Sequence, residues 1–426
     1  MILLYRVITT SLYPLFIIFI YFRKILKKED PLRFKEKIYP SYFNSKKKNG
    51  NTLIWFHAAS IGELKSIIPI LSELCLSQTK LEFLVTTTTL SSSEIAKLEL
   101  KKIKNVSHRF FPLDVNFLIK EFIKQWKPDA IFLVDSEIWP NLILNAKINN
   151  IPIALINARI TLKTSKKWML FKNVAHSIFN HFSLCLTSNI DTKEFLLKLN
   201  VKNTKFYGNI KLVNKINPEN IQNLNDKILK KKRFWLAAST HTGEDNFCLR
   251  THLLLKKKYP EIISIIAPRH VERAKEIETL SLSLNLKTQM LNAGERIEDG
   301  KEIIIISAFG ILQDYFKYAK SVFVGKSMIK KLRNVGGQSP IDAAKLGCKI
   351  YHGPYVYNFE EIYKILKDNN ISSKIESSEE LSENLAKDLN DIEKKGDQIS
   401  KVINNLGQKT LIDTMKEIRK FINEIK

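Results

Sequence analysis

Residues 53–76 read LIWFHAASIGELKSIIPILSELCL. Leu53 to Ala58 is a short apolar run of strand character. Ile61 to Leu76 then repeats its apolar residues at helical spacing and ends near Ser77. The same unit recurs downstream. FLVTTTT (from Phe83), AIFLVD (from Ala130) and IPIALIN (from Ile151) are further apolar, β-branched runs. Helical patterns separate them, as over Asp114–Gln125 and Pro140–Asn149. Strands apolar on both sides, alternating with helices, predict a parallel sheet covered on both faces.

A polar, Asn- and Lys-rich stretch, Asn214–Lys232, interrupts this rhythm and reads as a linker. The rhythm restarts with FWLAAS, EIISIIAP, EIIIIS, SVFVG and CKIYHG, each followed by a helical or polar segment. The predicted fold is therefore α/β with two open sheets. Such folds place ligands at the carboxyl ends of the strands, here in a cleft where those ends face one another. The final stretch, Leu411–Ile425, is amphipathic.

The chain has 426 residues, 44% of them hydrophobic, enough for two large domain cores. Its formal net charge of +25 favours anionic partners: nucleic acid, an acidic membrane face or a phosphorylated lipid. Cys75, Cys185, Cys248 and Cys348 are scattered without a C-x-x-C pair, which argues against a disulfide framework or a zinc site. Val7–Phe22 is uncharged and is followed by Arg23, Lys24, Lys27 and Lys28. As one helix it would reach roughly 24 Å, short of a hydrocarbon core of about 30 Å. Pro14 would kink it. The charge after the apolar run places the bulk of the chain in the cytoplasm. Either a span or a segment lying in one leaflet fits.

Chemistry-bearing residues cluster where strands end. Ser60, Gly62 and Glu63 follow the first strand. Gly62 lets a substrate approach the backbone, and a helix N-terminus favours an ionised Glu63 that can take a proton from a hydroxyl. Ser60 and Glu63 equally form an S-x-x-E capping box, and local pattern leaves both readings open. Asp135, Glu137, Trp139 and Asn141 follow AIFLVD, with Pro140 opening a helix. A capped turn packed by Trp139 is the plainer alternative. Arg159 precedes Lys163, Lys166 and Lys167, a set suited to lipid phosphates or an acidic sugar. Lys211 closes the first half. In the second half Ser239, Thr240 and His241, then Arg269 and His270, follow strands. Gly336, Gly337, Gln338 and Ser339 precede a helix containing Asp342. That turn would offer amides to an anion and an acid to ribose hydroxyls.

Taken in order, HAASIGE, FPLD (Phe111–Asp114), DSEIWPN, INARIT, GNIK, ASTHTGE, APRHVER, GGQSPIDAAKLG and HGPYVYNF make the chain resemble the Kdo (3-deoxy-D-manno-oct-2-ulosonic acid) transferases over nearly its whole length. The resemblance implies a GT-B glycosyltransferase: two Rossmann-like domains facing each other across a cleft, behind an N-terminal membrane-anchor helix. It implies a membrane anchor over 1–28, an acceptor domain over 29–213, a linker over 214–232, a donor domain over 233–405, and a final helix over 406–426 that packs back toward the first domain. The implied reaction moves Kdo from CMP-Kdo to lipid A precursor with inversion, without metal or other cofactor and without nucleic acid. It implies an enzyme on the cytoplasmic side of the inner membrane, against its anionic lipid. In that setting Glu63 is the catalytic base. Ser60, Gly62, Glu137, Arg159 and Lys211 arrange the acceptor or reaction centre. Ser239, Thr240, Arg269, His270, Gly336, Gly337, Gln338 and Asp342 hold the donor.

The chain departs from the family at several points. The usual Gly-Gly-His-Asn-x-x-Glu has Gln338, Ser339 and Asp342. An Asp-Thr-x-Gly-Glu-Leu stretch is Ser307–Leu312, with Ile311 in place of an acid. Val-Gly-Gly-Ser is Val324-Gly325-Lys326-Ser327. The competing readings are another GT-B nucleotide-sugar enzyme and a non-enzymatic, membrane-tethered basic protein.

Overall fold

The computed structural model describes residues 2–45, 47–48, 50–77, 80–390 and 396–425. It divides into two compact units, Met1–Asn214 with Gly407–Lys426, and Lys215–Leu406.

The first unit holds β1 (Thr52–His57), β2 (Leu81–Thr87), β3 (Val106–Phe110), β4 (Ala130–Val134), β5 (Ile153–Ala158), β6 (Phe182–Thr187) and β7 (Thr204–Phe206). They pair in parallel in the order β3-β2-β1-β4-β5-β6-β7. Side chains alternate along a strand, and both faces here are dry. Leu53, Trp55, Ile131, Leu133 and Leu155 enter one core. Their neighbours Ile54, Phe56, Phe132, Val134 and Ile156 enter the other. The helix Asp397–Asn423 closes that second core with Met415, Ile418, Phe421 and Ile422. Lys205 and Tyr207 fix it through Glu417, at 2.7 and 2.9 Å.

The second unit repeats the plan with β8 (Phe234–Thr240), β9 (Ile263–Pro268), β10 (Thr288–Leu291), β11 (Ile303–Ile306), β12 (Ser321–Val324), β13 (Lys349–His352) and β14 (Ser372–Lys374). Its all-parallel order is β10-β11-β9-β8-β12-β13-β14. The stretch 214–232, expected as the linker into a second domain, begins at the boundary between the units and is folded onto this one. Ile221 is buried, the Asn225 side-chain amide donates to the Glu295 carbonyl, and Lys317 Nζ donates to the Ile221 carbonyl.

The N-terminal apolar run is helical and bent. It forms two helices, α1 (Ile2–Ser11) and α2 (Tyr13–Ile25), bent by 54° to each other. Pro14 sits in the first turn of α2, where a missing N–H is tolerated, and the 54° bend falls just before it, as a proline in this run was expected to cause. Among the described residues no single helix is long and apolar enough to cross a membrane; only this bent pair passes on length and composition. One side of the pair is docked: the Tyr5 hydroxyl donates to Asp114 Oδ2 at 2.9 Å, and Tyr13 and Phe16 pack on the core. The other side leaves Leu3, Leu4, Leu15, Ile18, Phe19, Phe22 and Ile25 exposed.

Candidate active site

In the first unit the strand order reverses between β1 and β4, and the candidate residues gather at the carboxyl ends around that switch point. Beyond β1, helix α3 (Ile61–Ser77) begins at the Ser60 turn. Glu63 Oε1 accepts from the Ser60 hydroxyl at 2.7 Å, Oε2 accepts from the Ala59 amide at 2.8 Å, and the Glu63 amide points back to Ser60 Oγ at 3.3 Å. The capping box is therefore real, and the same bonds fix the carboxylate that the catalytic reading needs. Burial is the main reason the Glu63 pKa lies above the ordinary value. Ser60 and Ala59 oppose the rise, and the nearby carboxylates Glu137 and Asp135 add to it. A proton acceptor at a helix start was expected to be held ionised; its surroundings instead make it a stronger base. A Cβ built on Gly62 meets nothing within 4 Å, so packing does not demand glycine there and the space beside Glu63 is open.

Glu137, beyond β4, is held by two groups. The Trp139 indole donates to its Oε2 at 2.8 Å, and His57 Nε2 lies 3.3 Å from the same oxygen. His57 ends β1, stacks on Phe111 at 4.0 Å and meets Thr86 Oγ1 at 3.0 Å. Asp135 takes a left-handed backbone (φ 64°), and its carboxylate pairs with Lys211 Nζ. Lys211 arrives there because Asn157, at the end of β5, accepts from the Ile210 amide at 3.0 Å. The Arg159 amide donates to the Asp135 carbonyl at 3.2 Å. Ser60, Gly62, Glu63, Glu137, Arg159 and Lys211 thus share one edge of one sheet.

Helix α4 (Leu90–Glu99) follows β2, and α5 (Asn116–Trp126) and α6 (Pro140–Ile148) flank β4. Asp114 was missed as a support of this site. Its carboxylate accepts from the Asn141 and Leu142 amides at 3.0 and 2.9 Å, capping α6 immediately after the Glu137–Trp139 turn. Burial raises Asp114 to about 6, against the lowering effect of those amides and Tyr5. FPLD was the available signal, but nothing local says which helix Asp114 caps.

The second unit has its own switch point, between β8 and β12. Glu244, fully buried, braces it. Oε2 accepts from the His241 and Lys326 amides at 2.9 and 2.7 Å, and Oε1 from the Ser327 and Met328 amides at 2.8 and 2.9 Å. A Cβ on Gly325 would stand 2.8 Å from that carboxylate and 2.7 Å from the Ser239 carbonyl. Around the brace lie His241, His270, Arg269, Arg273 and Lys326. Burial first, then those four charged or chargeable neighbours, lowers His241 to about 4. His241 and His270 meet edge to face at 5.7 Å, and Gln338 Nε2 lies 3.4 Å from His241 Nε2.

Three of the residues expected at a donor site are already engaged within the protein. Thr240 is fully buried, with its hydroxyl toward Asp245 at 3.5 Å, so it supports the strand end from beneath, while Ser239 makes the left-handed turn (φ 58°). The Gly336–Gly337 turn does not hold out its amides in full. Gly337 N donates to the Lys326 carbonyl at 2.7 Å, and a Cβ on Gly336 would collide with the Tyr355 carbonyl at 2.3 Å; these glycines serve close backbone packing. Asp342 accepts from Gln313 at 2.9 Å and is already partnered. Among the described residues no three His, Cys, Asp or Glu side chains converge as a metal set.

Two Rossmann-type units, each with polar groups at its switch point, define a GT-B-like glycosyltransferase fold. A solved UDP-GlcNAc 2-epimerase from Neisseria meningitidis bound to UDP-GlcNAc shares it, at TM-score 0.57 and 13% identity, over 88% of this chain and 100% of that one. Sequence narrows the class. The model of the 3-deoxy-D-manno-octulosonic-acid transferase (kdotransferase) family matches residues 33–214. A 3-deoxy-D-manno-octulosonic acid transferase from Rickettsia bellii is 30% identical, covering 89% of this chain and 88% of its own. An Arabidopsis thaliana protein described as "Probable 3-deoxy-D-manno-octulosonic acid transferase, mitochondrial" is 31% identical, covering 88% and 86%. The chain belongs to the 3-deoxy-D-manno-octulosonic acid transferase family.

Proposed function

We propose that this chain transfers Kdo from CMP-Kdo to a hydroxyl of lipid A precursor, with inversion, using Glu63 as general base and no metal. The observation that carries the proposal is the buried Glu63 carboxylate, its pKa raised, beside the open space at Gly62. In the reaction the acceptor oxygen attacks the anomeric carbon of Kdo and its proton passes to Glu63. The bond from that carbon to the phosphate oxygen breaks, and CMP leaves with the electron pair. One displacement from the opposite face inverts the centre. Glu137, fixed by Trp139 and His57, and the Asp135–Lys211 pair orient the acceptor. Arg269, His270 and their cationic neighbours in the second unit offset charge developing on phosphate. Ser239 and Gln338 border that cluster; Gly336, Gly337, Thr240 and Asp342 act through backbone packing and positioning.

The exposed apolar side of α1 and α2, followed by Arg23, Lys24, Lys27 and Lys28, supports work at an anionic membrane face, where a lipid acceptor resides. The test is label transfer from CMP-Kdo, generated in situ, to lipid A precursor by the full chain in detergent, beside Glu63→Gln. Transfer by the parent and a loss of about 10²- to 10⁴-fold in the folded variant is expected. Turnover of a different sugar nucleotide instead would keep the fold and discard this donor.

A further inference from the structure

Lys326 occupies a backbone conformation that suits it poorly. It lies at φ 60°, in the left-handed region where glycine is at ease and a long L side chain is strained. It does so at the carboxyl end of β12, beside the switch point with β8. Its amide is fixed on Glu244 Oε2 at 2.7 Å, the oxygen that also accepts from His241, and its carbonyl is fixed by the Gly337 amide. Its ammonium has no ion-pair partner among the described residues. The acids nearby are already engaged: Glu244 by its amides, Asp245 by Arg273, and Asp342 by Gln313. His241, His270, Arg269 and Arg273 add further positive or polar groups and no counter-charge.

A half-exposed lysine on an ordinary surface gains nothing from a strained backbone. Here the left-handed residue stands just beyond the carboxyl end of β12, close enough for its charge to lower the His241 pKa, at the end of a sheet where such folds bind phosphoryl groups. We infer that the Lys326 ammonium contacts the phosphoryl group of the nucleotide-sugar donor and sets donor affinity in this chain. The inference rests on the proposed donor role of the second unit and adds a residue to it.

The test compares binding of CMP and of cytidine, which has no phosphate, to the full chain in detergent by titration calorimetry. Lys326→Gly relieves the left-handed strain and removes the charge. Lys326→Asn also tolerates the conformation, and Lys326→Arg keeps the charge. CMP affinity should fall by about 10- to 100-fold in the Gly and Asn variants, the size of one charged hydrogen bond. Cytidine affinity should be unchanged, melting temperature should not fall, and Arg should retain most of the CMP affinity. Equal CMP affinity in parent, Gly and Asn variants overturns the inference and leaves the donor reading standing. A parent that binds neither CMP nor cytidine overturns the donor reading and the inference together.

Discussion

The carboxyl edges of the two sheets differ in charge on the same topology, the first with an excess of acids and the second with an excess of cations. In the first unit the acids Glu63, Asp135 and Glu137 outnumber the cations Lys211, paired with Asp135, and Arg159, while His57 meets Glu137. In the second, Arg269, Arg273, Lys326, His241 and His270 converge, and the one central acid, Glu244, is consumed by backbone amides. A crowd of carboxylates raises a neighbour's proton affinity, which is useful for taking a proton. A crowd of cations lowers the cost of negative charge, which is useful for a departing phosphate. On the proposed function, the fold supplies the edge and its charge suits it to one of the two tasks.

Glu63→Gln is the sharpest way to break this contrast, because it removes the proton acceptor but keeps the shape, with its oxygen able to accept from the Ala59 amide and its nitrogen to donate to Ser60 Oγ. Beyond the loss of transfer, it should stabilise the protein at neutral pH. A carboxyl whose folded pKa is raised penalises the folded state whenever it is ionised. That penalty is full above the folded pKa and disappears as pH falls toward the unfolded value. Thermal melts of parent and variant should therefore differ at pH 8, with the variant higher, and converge as pH falls below the ordinary Glu range. A variant less stable than the parent at pH 8 would mean that the Ser60 and Ala59 bonds outweigh the burial and the neighbouring acids.

On the other side of the comparison, Glu244→Ala should act on structure first. It leaves the amides of His241, Lys326, Ser327 and Met328 without their acceptor in a buried place. The expected loss is on the order of 3 kcal/mol or more of the second unit's stability. Denaturant unfolding monitored at Trp235, buried in that unit's core, reads it. A loss under about 1 kcal/mol would show that water replaces the carboxylate, and would weaken its reading as a brace.

Most of the large strands were legible because both faces are dry, so their sequences are nearly continuous apolar runs; β6 (FSLCLT), where exposed Ser183 breaks the run, and β10 were not read. β3 was not: VSHRF is polar, with His108 against Thr87 and Arg33, and it sits at the sheet edge. β7 and β14, three residues each at the opposite edges, carry too little pattern to read. At the sites, Glu63 and Glu137 were legible as strand-end acids, but their environment was not. His57 meets Glu137 across 80 residues of sequence, and only the β1–β4 register brings them together. Glu244 was visible as the last residue of THTGE, yet its partners Lys326, Ser327 and Met328 lie more than 80 positions on. Lys326 looked like a lapse from a glycine pattern; its left-handed backbone is what gives it meaning.

The smallest expected effect links the acidic edge to the N-terminal helices. Tyr5 on α1 donates to Asp114, and Asp114 caps α6 behind the Glu137–Trp139 turn. The groups that face this carboxylate are the Tyr5 hydroxyl, the Asn141 and Leu142 amides and, by charge, His57; all of them lower its pKa, while burial raises it to about 6. Tyr5→Phe removes one of the lowering contacts, so Asp114 should titrate higher than in the parent. With its folded pKa further above the unfolded one, the penalty grows only where Asp114 is ionised. The variant should lose about 1–2 kcal/mol at pH 8, the worth of a hydrogen bond to a charged acceptor. Near pH 4, where the folded carboxyl is protonated, the loss should shrink. Urea midpoints at the two pH values, with hydrogen exchange at the Asn141 and Leu142 amides, decide it. Faster exchange there at pH 8 would mean that α1 braces the acidic edge as well as presenting an apolar face. Unchanged exchange would confine Tyr5 to holding its own helix, and the acidic edge would owe its shape to Asp114 alone.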